Sequence, residues 1–185
     1  GLQEAMQHIN TYDKKHVNTV AQLEEAINSL DQKTTDYLVS ISKQSLSGQA
    51  SKLHNTLLEN IRDIERIGDH VENLIELTEF NENNRAKLST EAMQELNEML
   101  ELVVDTVSLA IQSLDQLDVE AAKQVLENEN KIDDMERKLR KRHIIRLNNG
   151  ICTGYAGVIF VDIISNLERV GDHATNIAQS VIEVK

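Results

Sequence analysis

The sequence predicts an all-α fold of two tandem three-helix-bundle repeats, and three observations carry this prediction. Apolar residues recur at the three-and-four spacing of a helix along almost all of the 185 residues. The chain has no proline and seven glycines, so it is poor in the residues that usually mark turns. The third observation is an internal duplication, which also sets the boundaries of the repeats.

The helices are clearest in the second half of the chain. An apolar series from Leu96 to Leu114 predicts a helix that begins near Ser89 and ends before residues 115–118. A second helix is predicted for residues 119–147, because Asn148-Asn149-Gly150 is a strong helix stop. A third runs from about residue 151 to residue 184. In the first half, residues 45–48 separate two further helices.

The two halves of the chain are copies of one another. An offset of 105 residues places Asp13 over Asp118 and Ile27 over Ile132. An offset of 103 places residues 65–70, Glu-Arg-Ile-Gly-Asp-His, over residues 168–173, Glu-Arg-Val-Gly-Asp-His. We therefore predict a first repeat over residues 1–80 that lacks most of its opening helix, a connector over residues 81–88, and a second repeat over residues 89–185.

The abrupt start at Gly1 reads as the middle of a helix and indicates a fragment of a larger protein. A three-helix repeat without its opening helix leaves an apolar groove. We expect another segment or a second copy of the chain to cover that groove, so a homodimer is one expected assembly.

The charge of the chain restricts its partners. The formal net charge of -12 argues against binding to DNA, to RNA or to the anionic surface of a bilayer. The single cysteine, Cys152, excludes an internal disulfide and a zinc site made of thiolates. No run of about 18 apolar residues is present that could span a membrane. Cations are the ligands that such an acidic chain would attract.

The repeated string places two carboxylates four residues apart in each half, Glu65 with Asp69 and Glu168 with Asp172. Residues at this spacing share one helix face, where like charges repel by about 0.2–0.5 kcal/mol. A glycine inside a helix costs about 1 kcal/mol relative to alanine. The repeated glycine of this string therefore indicates a need for space, for either a neighbouring helix or a ligand.

The preceding helix of each repeat adds further acids. Glu129 and Asp133 are again four residues apart, and the matching positions in the first half are Glu24 and Asn28. Adjacent antiparallel helices would bring these acids to those of the repeated string. Converging carboxylates form an oxygen-rich site for magnesium, manganese, iron or zinc. Asn28 predicts a weaker site in the first half.

A second interpretation has equal support from the sequence. The same acids could line a solvated helix face on which Arg66 and Arg169 neutralise Asp69 and Asp172.

The repeated strings resemble the signature of the PhoU family. The resemblance covers residues 65–69 and 168–172, and also residues 118–122, Asp-Val-Glu-Ala-Ala, which lead into residues 129–133, Glu-Asn-Lys-Ile-Asp. It implies a fold of two three-helix repeats and a metal cluster bound through Glu/Asp-x-x-x-Asp motifs on the bundle surface. The candidate metal ligands that follow are Glu24, Glu65, Asp69, Glu129, Asp133, Glu168 and Asp172, and the ions are divalent or trivalent.

The resemblance also implies a function. Free-standing PhoU proteins are negative regulators of phosphate uptake and of the phosphate-starvation response. Similar domains form the cytoplasmic C-terminal part of bacterial sodium/phosphate cotransporters, and the histidines that follow Gly-Asp, His70 and His173, look more like that form. We therefore expect a non-enzymatic regulatory domain at the inner face of the plasma membrane, with a membrane transporter portion or a transport complex as its partner.

Two other functions are compatible with a helical bundle. One is an adaptor that binds no metal. The other is a carboxylate-bridged metalloenzyme, but ferritin-like sites need Glu-x-x-His pairs and none occurs in this chain.

The basic stretch at residues 137–143, with Arg146, has two interpretations of its own. It is either a solvated helix face or a docking surface for a phospholipid headgroup, phosphate or an acidic partner.

Overall fold

The computed structural model describes residues 1–43, 46–84 and 88–184, and this part of the chain consists of six α-helices without a strand. The predicted all-α fold is confirmed. The helices are α1 (Leu2–Thr11), α2 (Lys14–Ser42), α3 (Gly48–Asn83), α4 (Thr90–Gln116), α5 (Val119–Asn148) and α6 (Gly154–Val184).

The first turn of each repeat shows the duplication in atomic detail. α1 and α4 both end on a residue in the left-handed conformation, Tyr12 with φ 54° and Leu117 with φ 52°. The next residue in each repeat, Asp13 or Asp118, caps the following helix by accepting hydrogen bonds from backbone N–H groups of its first turn. Both pairs are related by the predicted offset of 105 residues.

Side-chain caps also set the starts of α3 and α4. The hydroxyl oxygens of Ser47 and Ser89 accept hydrogen bonds from the backbone N–H groups of Ala50 and Ala92. Near the other predicted break, Gly150 has φ 68°, a conformation that few side chains tolerate. The chain needs the next three residues to turn, so α6 begins at Gly154, three residues later than expected.

α3 extends beyond the predicted end of the first repeat. It continues to Asn83 and so occupies the first residues of the predicted connector. Asn81 is buried there, and its side-chain amide donates a hydrogen bond to the Tyr12 hydroxyl over 3.2 Å. This tertiary contact holds a polar turn of helix that its composition alone does not favour. Residues 85–87 of the connector, and residues 44, 45 and 185, lie outside the described residues.

α6 is the central helix of the molecule. It packs against α3, α4 and α5, and its inner face is buried along its whole length. The fully buried core includes Leu96, Met99, Leu100, Ile132, Ile164 and Leu167. The contact between α3 and α6 joins the two repeats, so both copies of the repeated string face each other across one interface.

The opening helices of the two repeats differ in length. α1 has 10 residues and α4 has 27. α1 packs on α2, α3 and α4 but is too short to follow the full length of α2 and α3. The uncovered parts of those helices therefore expose large apolar side chains, namely Leu30, Tyr37, Leu53 and Leu57. No helix within the described ranges has the length and apolar character needed to cross a bilayer.

Candidate functional site

The second repeat brings the predicted acids of α5 and α6 near one another. Burial raises the pKa of Glu129, and the negative charges of Asp133 and Asp172 raise it further. Burial followed by the charge of Asp133 likewise raises the pKa of Asp172. The pKa of Glu168 is raised by burial first and then by Asp172 and Asp133. The four predicted acids of this half therefore form one interacting group, named here the α5–α6 cluster.

The first repeat forms a matching group from α2 and α3, named here the α2–α3 cluster, of Glu24, Glu65 and Asp69. Burial raises the pKa of Glu24, and the charge of Asp69 adds to the increase. A side-chain hydrogen bond from Asn28 opposes that increase. The pKa of Glu65 is also raised, by burial first and then by the charge of Asp69.

Glu24 is the most deeply buried of the predicted ligands. Its side chain is 7% exposed, and its Oε1 is a buried atom without a hydrogen-bond partner. It forms part of the wall of a cleft of about 270 Å³, together with Val20, Ile67 and Gly68. A buried carboxylate oxygen without a donor is costly, and a cation entering the cleft is one group that would satisfy it.

The mid-helix glycines allow the helices of each repeat to approach closely. A Cβ at Gly68 would lie 2.5 Å from Oε2 of Glu24, and a Cβ at Gly171 would lie 3.2 Å from Cδ1 of Ile132. In both repeats, the space that the glycine leaves is therefore occupied by a side chain of the neighbouring helix. In the first repeat the close neighbour is itself a predicted metal ligand.

The carboxylates are near one another without forming a finished coordination shell. Within the described ranges, no three or more His, Cys, Asp or Glu side chains are arranged so that they could hold a metal ion. Arg66 lies 3.7 Å from Asp69 and 3.8 Å from Glu65, and Arg137 lies 3.6 Å from Asp133. These arginines are exposed and partly neutralise the acids. The Arg66–Asp69 pair is the one that the solvated-face interpretation expects, whereas Arg169 and Asp172 form no ion pair within the described residues. Carboxylate oxygens are the ligand type that hard cations prefer, but these side chains must rotate before they can coordinate a cation together.

The two histidines of the repeated strings lie at the interface between the repeats. His70 contacts the side-chain oxygen of Asn166 over 2.9 Å, and His173 contacts Asp63 over 2.8 Å. The two rings stack with their centroids 5.6 Å apart. Both histidines therefore make polar contacts to a neighbouring helix in the described structure.

Sequence reasoning missed the partners of these histidines. Asn73 and Asn176, one helical turn beyond Asp69 and Asp172, donate hydrogen bonds to Asn166 and Asp63. The offset of 103 residues places Asp63 over Asn166, so the duplication held a signal for both positions.

The basic stretch of α5 is largely paired with carboxylates. Arg137 pairs with Asp134, Arg140 with Glu136, and both Arg142 and Arg146 with Glu95 of α4. Arg146 is buried and also lies over the ring of Phe160. Lys138 and Lys141 are exposed, and neither belongs to an ion pair within the described residues.

One further contact involves Cys152. Its sulfur lies 3.9 Å from Nε2 of His143, a histidine that is buried against Phe160. Burial lowers the pKa of His143, and the positive charge of Arg146 lowers it further.

Comparisons with known proteins match the whole length of the fold. The sequence profile of the PhoU domain matches residues 2–78 and again residues 96–181, so each repeat matches it once. A phosphate-specific transport system accessory protein PhoU homolog from Thermotoga maritima is 26% identical over 185 residues, which cover 100% of this chain and 79% of that protein. A homolog from Synechocystis is 28% identical over 171 residues, covering 88% of this chain and 71% of that protein.

Two solved structures share the fold. PhoU from Pseudomonas aeruginosa superposes with a TM-score of 0.81 at 17% identity, covering 99% of this chain and 87% of that one. The phosphate transport system regulatory protein PhoU from Streptococcus pneumoniae gives a TM-score of 0.86 at 18% identity, covering 99% and 85%. At these identities the structures show that the helical bundle is shared.

Proposed function

Because this chain belongs to the PhoU family, we propose that it is a regulatory module of phosphate transport and phosphate homeostasis and not an enzyme. The observation that carries the proposal is the match of both repeats to the PhoU domain. The relatives are described as accessory proteins of a phosphate-specific transport system, which supports a transport complex as the partner. A regulator of this kind acts by changing its contacts with the partner, and the acidic faces of the two repeats are suited to report a change in bound ions.

The proposal includes metal binding by both acidic clusters. The ligands would be Glu129, Asp133, Glu168 and Asp172 in the second repeat and Glu24, Glu65 and Asp69 in the first. Support comes from the raised pKa values of five of these carboxyls and from the unpartnered buried oxygen of Glu24. A bound divalent or trivalent cation lowers the repulsion among carboxylates that burial and proximity create. The ion would be iron, zinc, manganese or magnesium.

Calorimetric titration with manganese, zinc, iron and magnesium salts tests metal binding in solution. We expect the double variant Glu168→Ala/Asp172→Ala to lose one class of sites and to retain the weaker sites of the first repeat. Glu98→Ala/Glu101→Ala removes the same charge from α4 and is the matched control. Titrations that show no heat for any of these ions, or equal loss in the control, would leave the metal-free adaptor function in place. The lack of a finished coordination shell among the described residues favours that second candidate.

A transport partner is tested by capture from cells. We expect the tagged chain to co-purify with components of a phosphate transporter from membranes of phosphate-replete cells. Deletion of the gene should raise phosphate uptake, and light scattering of the purified chain would detect the expected homodimer. If uptake is unchanged and no transporter component is captured, the proposed function is wrong.

The cotransporter-linked form is a more specific proposal. In that form the chain would be the cytoplasmic C-terminal part of a sodium/phosphate cotransporter, tethered to the inner face of the plasma membrane. Sequencing the complete gene tests it directly. Transmembrane helices encoded upstream of Gly1 would support the cotransporter form, and a short upstream segment without them would identify a free-standing accessory protein.

A further inference from the structure

We propose that the end of the α5–α6 hairpin is a docking surface for an anionic lipid bilayer. The surface, named here the hairpin patch, consists of Lys138, Lys141, Ile144, Ile145, Ile151 and Tyr155. No transport partner is needed for this interaction, so the proposal stands apart from the proposed function.

The hairpin patch exposes large apolar side chains close together. Ile144 is 51% exposed, Ile145 52%, Ile151 56% and Tyr155 65%. The outer face of a helix in a soluble bundle is usually polar, and several exposed apolar residues in one place mark an interaction site. Four such residues within 12 positions make this end of the molecule unusual for a chain of its acidic composition.

Helix geometry places the lysines with the isoleucines. Lys138, Lys141 and Ile145 follow the three-and-four spacing that forms one stripe along α5. The buried Leu139 and His143 lie on the other side of α5, so the lysine stripe faces away from the bundle.

Close packing of α5 on α6 places the C-terminal end of α5 beside the N-terminal end of α6. A Cβ at Gly157 of α6 would lie 2.9 Å from Nε2 of His143 and 3.0 Å from Leu147. The last turn of α5 therefore lies beside the first turn of α6, where Tyr155 is exposed.

The charge of this segment is opposite to that of the whole chain. The net charge of the chain is -12, yet residues 137–161 include six lysines and arginines and no aspartate or glutamate. The four arginines of the segment are paired with carboxylates, whereas Lys138 and Lys141 belong to no ion pair within the described residues. Asp134, one turn before Lys138, interacts with that lysine but forms its ion pair with Arg137. The two ammonium groups can therefore meet anionic headgroups, and acids more than about 8 Å away are screened at physiological salt.

The composition of the hairpin patch favours a bilayer over an acidic protein. The patch combines two lysines with four exposed apolar side chains, and the cleft beside Glu24 and Gly68 is in the other repeat. A folded partner needs a complementary shape to bury such a surface, but a fluid bilayer adapts to it. Lysines above isoleucines on one helix face are typical of helices that lie in the lipid interface.

Sedimentation with sucrose-loaded vesicles tests the proposal with the full chain. We expect the chain to partition onto vesicles of phosphatidylglycerol and phosphatidylcholine in a 3:7 ratio, and much less onto pure phosphatidylcholine. Lys138→Glu/Lys141→Glu should lower the partition coefficient at least about 25-fold, since each basic residue contributes about a five-fold factor near an anionic surface and the added carboxylates are repelled by it. Lys33→Glu/Lys43→Glu changes the net charge equally at exposed positions toward the C-terminal end of α2, in the other repeat, and is the matched control.

The apolar part is tested in the same assay. Ile144→Ser/Ile145→Ser should weaken binding at high salt, where the lysines contribute little, and Leu30→Ser, at an equally exposed position in α2, should not. Circular dichroism melting confirms that each variant is folded. Absence of wild-type binding to the anionic vesicles, or equal loss in the Lys33/Lys43 control, would overturn the proposal. Binding to soluble polyglutamate without binding to vesicles would also overturn it and would assign the patch to an acidic protein.

Discussion

His173 of α6 lies with its Nδ1 2.8 Å from Oδ1 of Asp63 on α3, and this contact joins the second repeat to the first. At the equivalent position of the other copy, His70 contacts Asn166, an amide in place of a carboxylate. The two contacts are related by the duplication, but only one of them can be an ion pair. The interface between the repeats is therefore symmetric in geometry and asymmetric in charge.

Removing the Asp63 carboxylate should weaken this interface. Asp63 accepts from both His173 and Asn176, so Asp63→Ala leaves the half-buried His173 and the exposed Asn176 without this acceptor and should lower the free energy of unfolding by about 1–3 kcal/mol. Urea denaturation measures the change. Asp162→Ala, at an exposed position of α6, is the control and should cost less than about 0.5 kcal/mol. Equal costs in the two variants would show that the contact contributes nothing to stability.

The raised pKa of Glu24 predicts a pH-dependent stability in the metal-free protein. Because burial raises this pKa above its value in the unfolded chain, the folded state binds the proton more tightly between the two values. The free energy of unfolding should therefore fall as the pH rises from the pKa of Glu24 in the unfolded chain to its higher pKa in the folded protein. The stabilisation by the protonated Glu24 carboxyl is complete only below the unfolded-state pKa.

Glu24→Gln removes the charge and tests this pH dependence. In the presence of a chelator, the variant should be more stable than the wild type by about 1 kcal/mol at pH 8, with little difference at pH 4. Glu25→Gln, at the exposed neighbouring position, should show no such pH-dependent gain. Thermal unfolding between pH 4 and pH 8 measures both. A Glu24→Gln variant that loses stability at pH 8 would mean that the carboxylate is favourably bound in the folded state.

Gly157 is required by the close approach of α5 and α6. A methyl group there would meet both His143 and Leu147 at 3.0 Å or less, so Gly157→Ala should lower the free energy of unfolding by about 1–3 kcal/mol. Gly154→Ala, where nothing lies within 4 Å, should be neutral or slightly stabilising. Urea denaturation of the two variants provides the comparison, and a neutral Gly157→Ala would show that α5 and α6 are further apart than described.

Glu95 of α4 neutralises a buried guanidinium. It accepts from Arg146 over 2.7 Å and from Arg142 over 3.0 Å, and only Arg142 is exposed. Glu95→Ala leaves Arg146 buried without a counter-charge and should cost about 3–5 kcal/mol, whereas Arg142→Ala should cost about 1 kcal/mol or less. Chemical denaturation distinguishes these sizes. A small cost for Glu95→Ala would indicate that water or another group already satisfies Arg146.

Sequence reasoning went furthest where the signal was local or duplicated. Helical periodicity and the scarcity of glycine and proline predicted the all-α fold, and the offset of 105 residues predicted the equivalence of Asp13 and Asp118. The end of α3 was missed because it depends on the tertiary contact between Asn81 and Tyr12. The hydrogen bonds of Asn73 and Asn176 across the α3–α6 interface were not predicted, because spacing alone does not show which neighbouring helix a side chain reaches.

Sequence spacing predicted which acids lie near one another in the candidate site, but it did not predict how they would coordinate an ion. Four-residue spacing on α5 and α6 was enough to place Asp133 near Asp172, as their coupled charges show. The burial of Glu24 against Gly68 follows from the packing of α2 on α3, which spacing does not specify. Whether the carboxylates close around an ion depends on their rotamers when an ion is present.

Anomalous diffraction from crystals grown with manganese is the most direct test of the proposed metal centres. We predict anomalous peaks within about 2.0–2.6 Å of carboxylate oxygens of the α5–α6 cluster, and weaker peaks beside Glu24, Glu65 and Asp69. Crystals of Glu168→Ala/Asp172→Ala should lose the peaks of the second repeat only. Crystals of the wild type without anomalous density at either cluster, and with the carboxylates directed into solvent, would contradict the proposal.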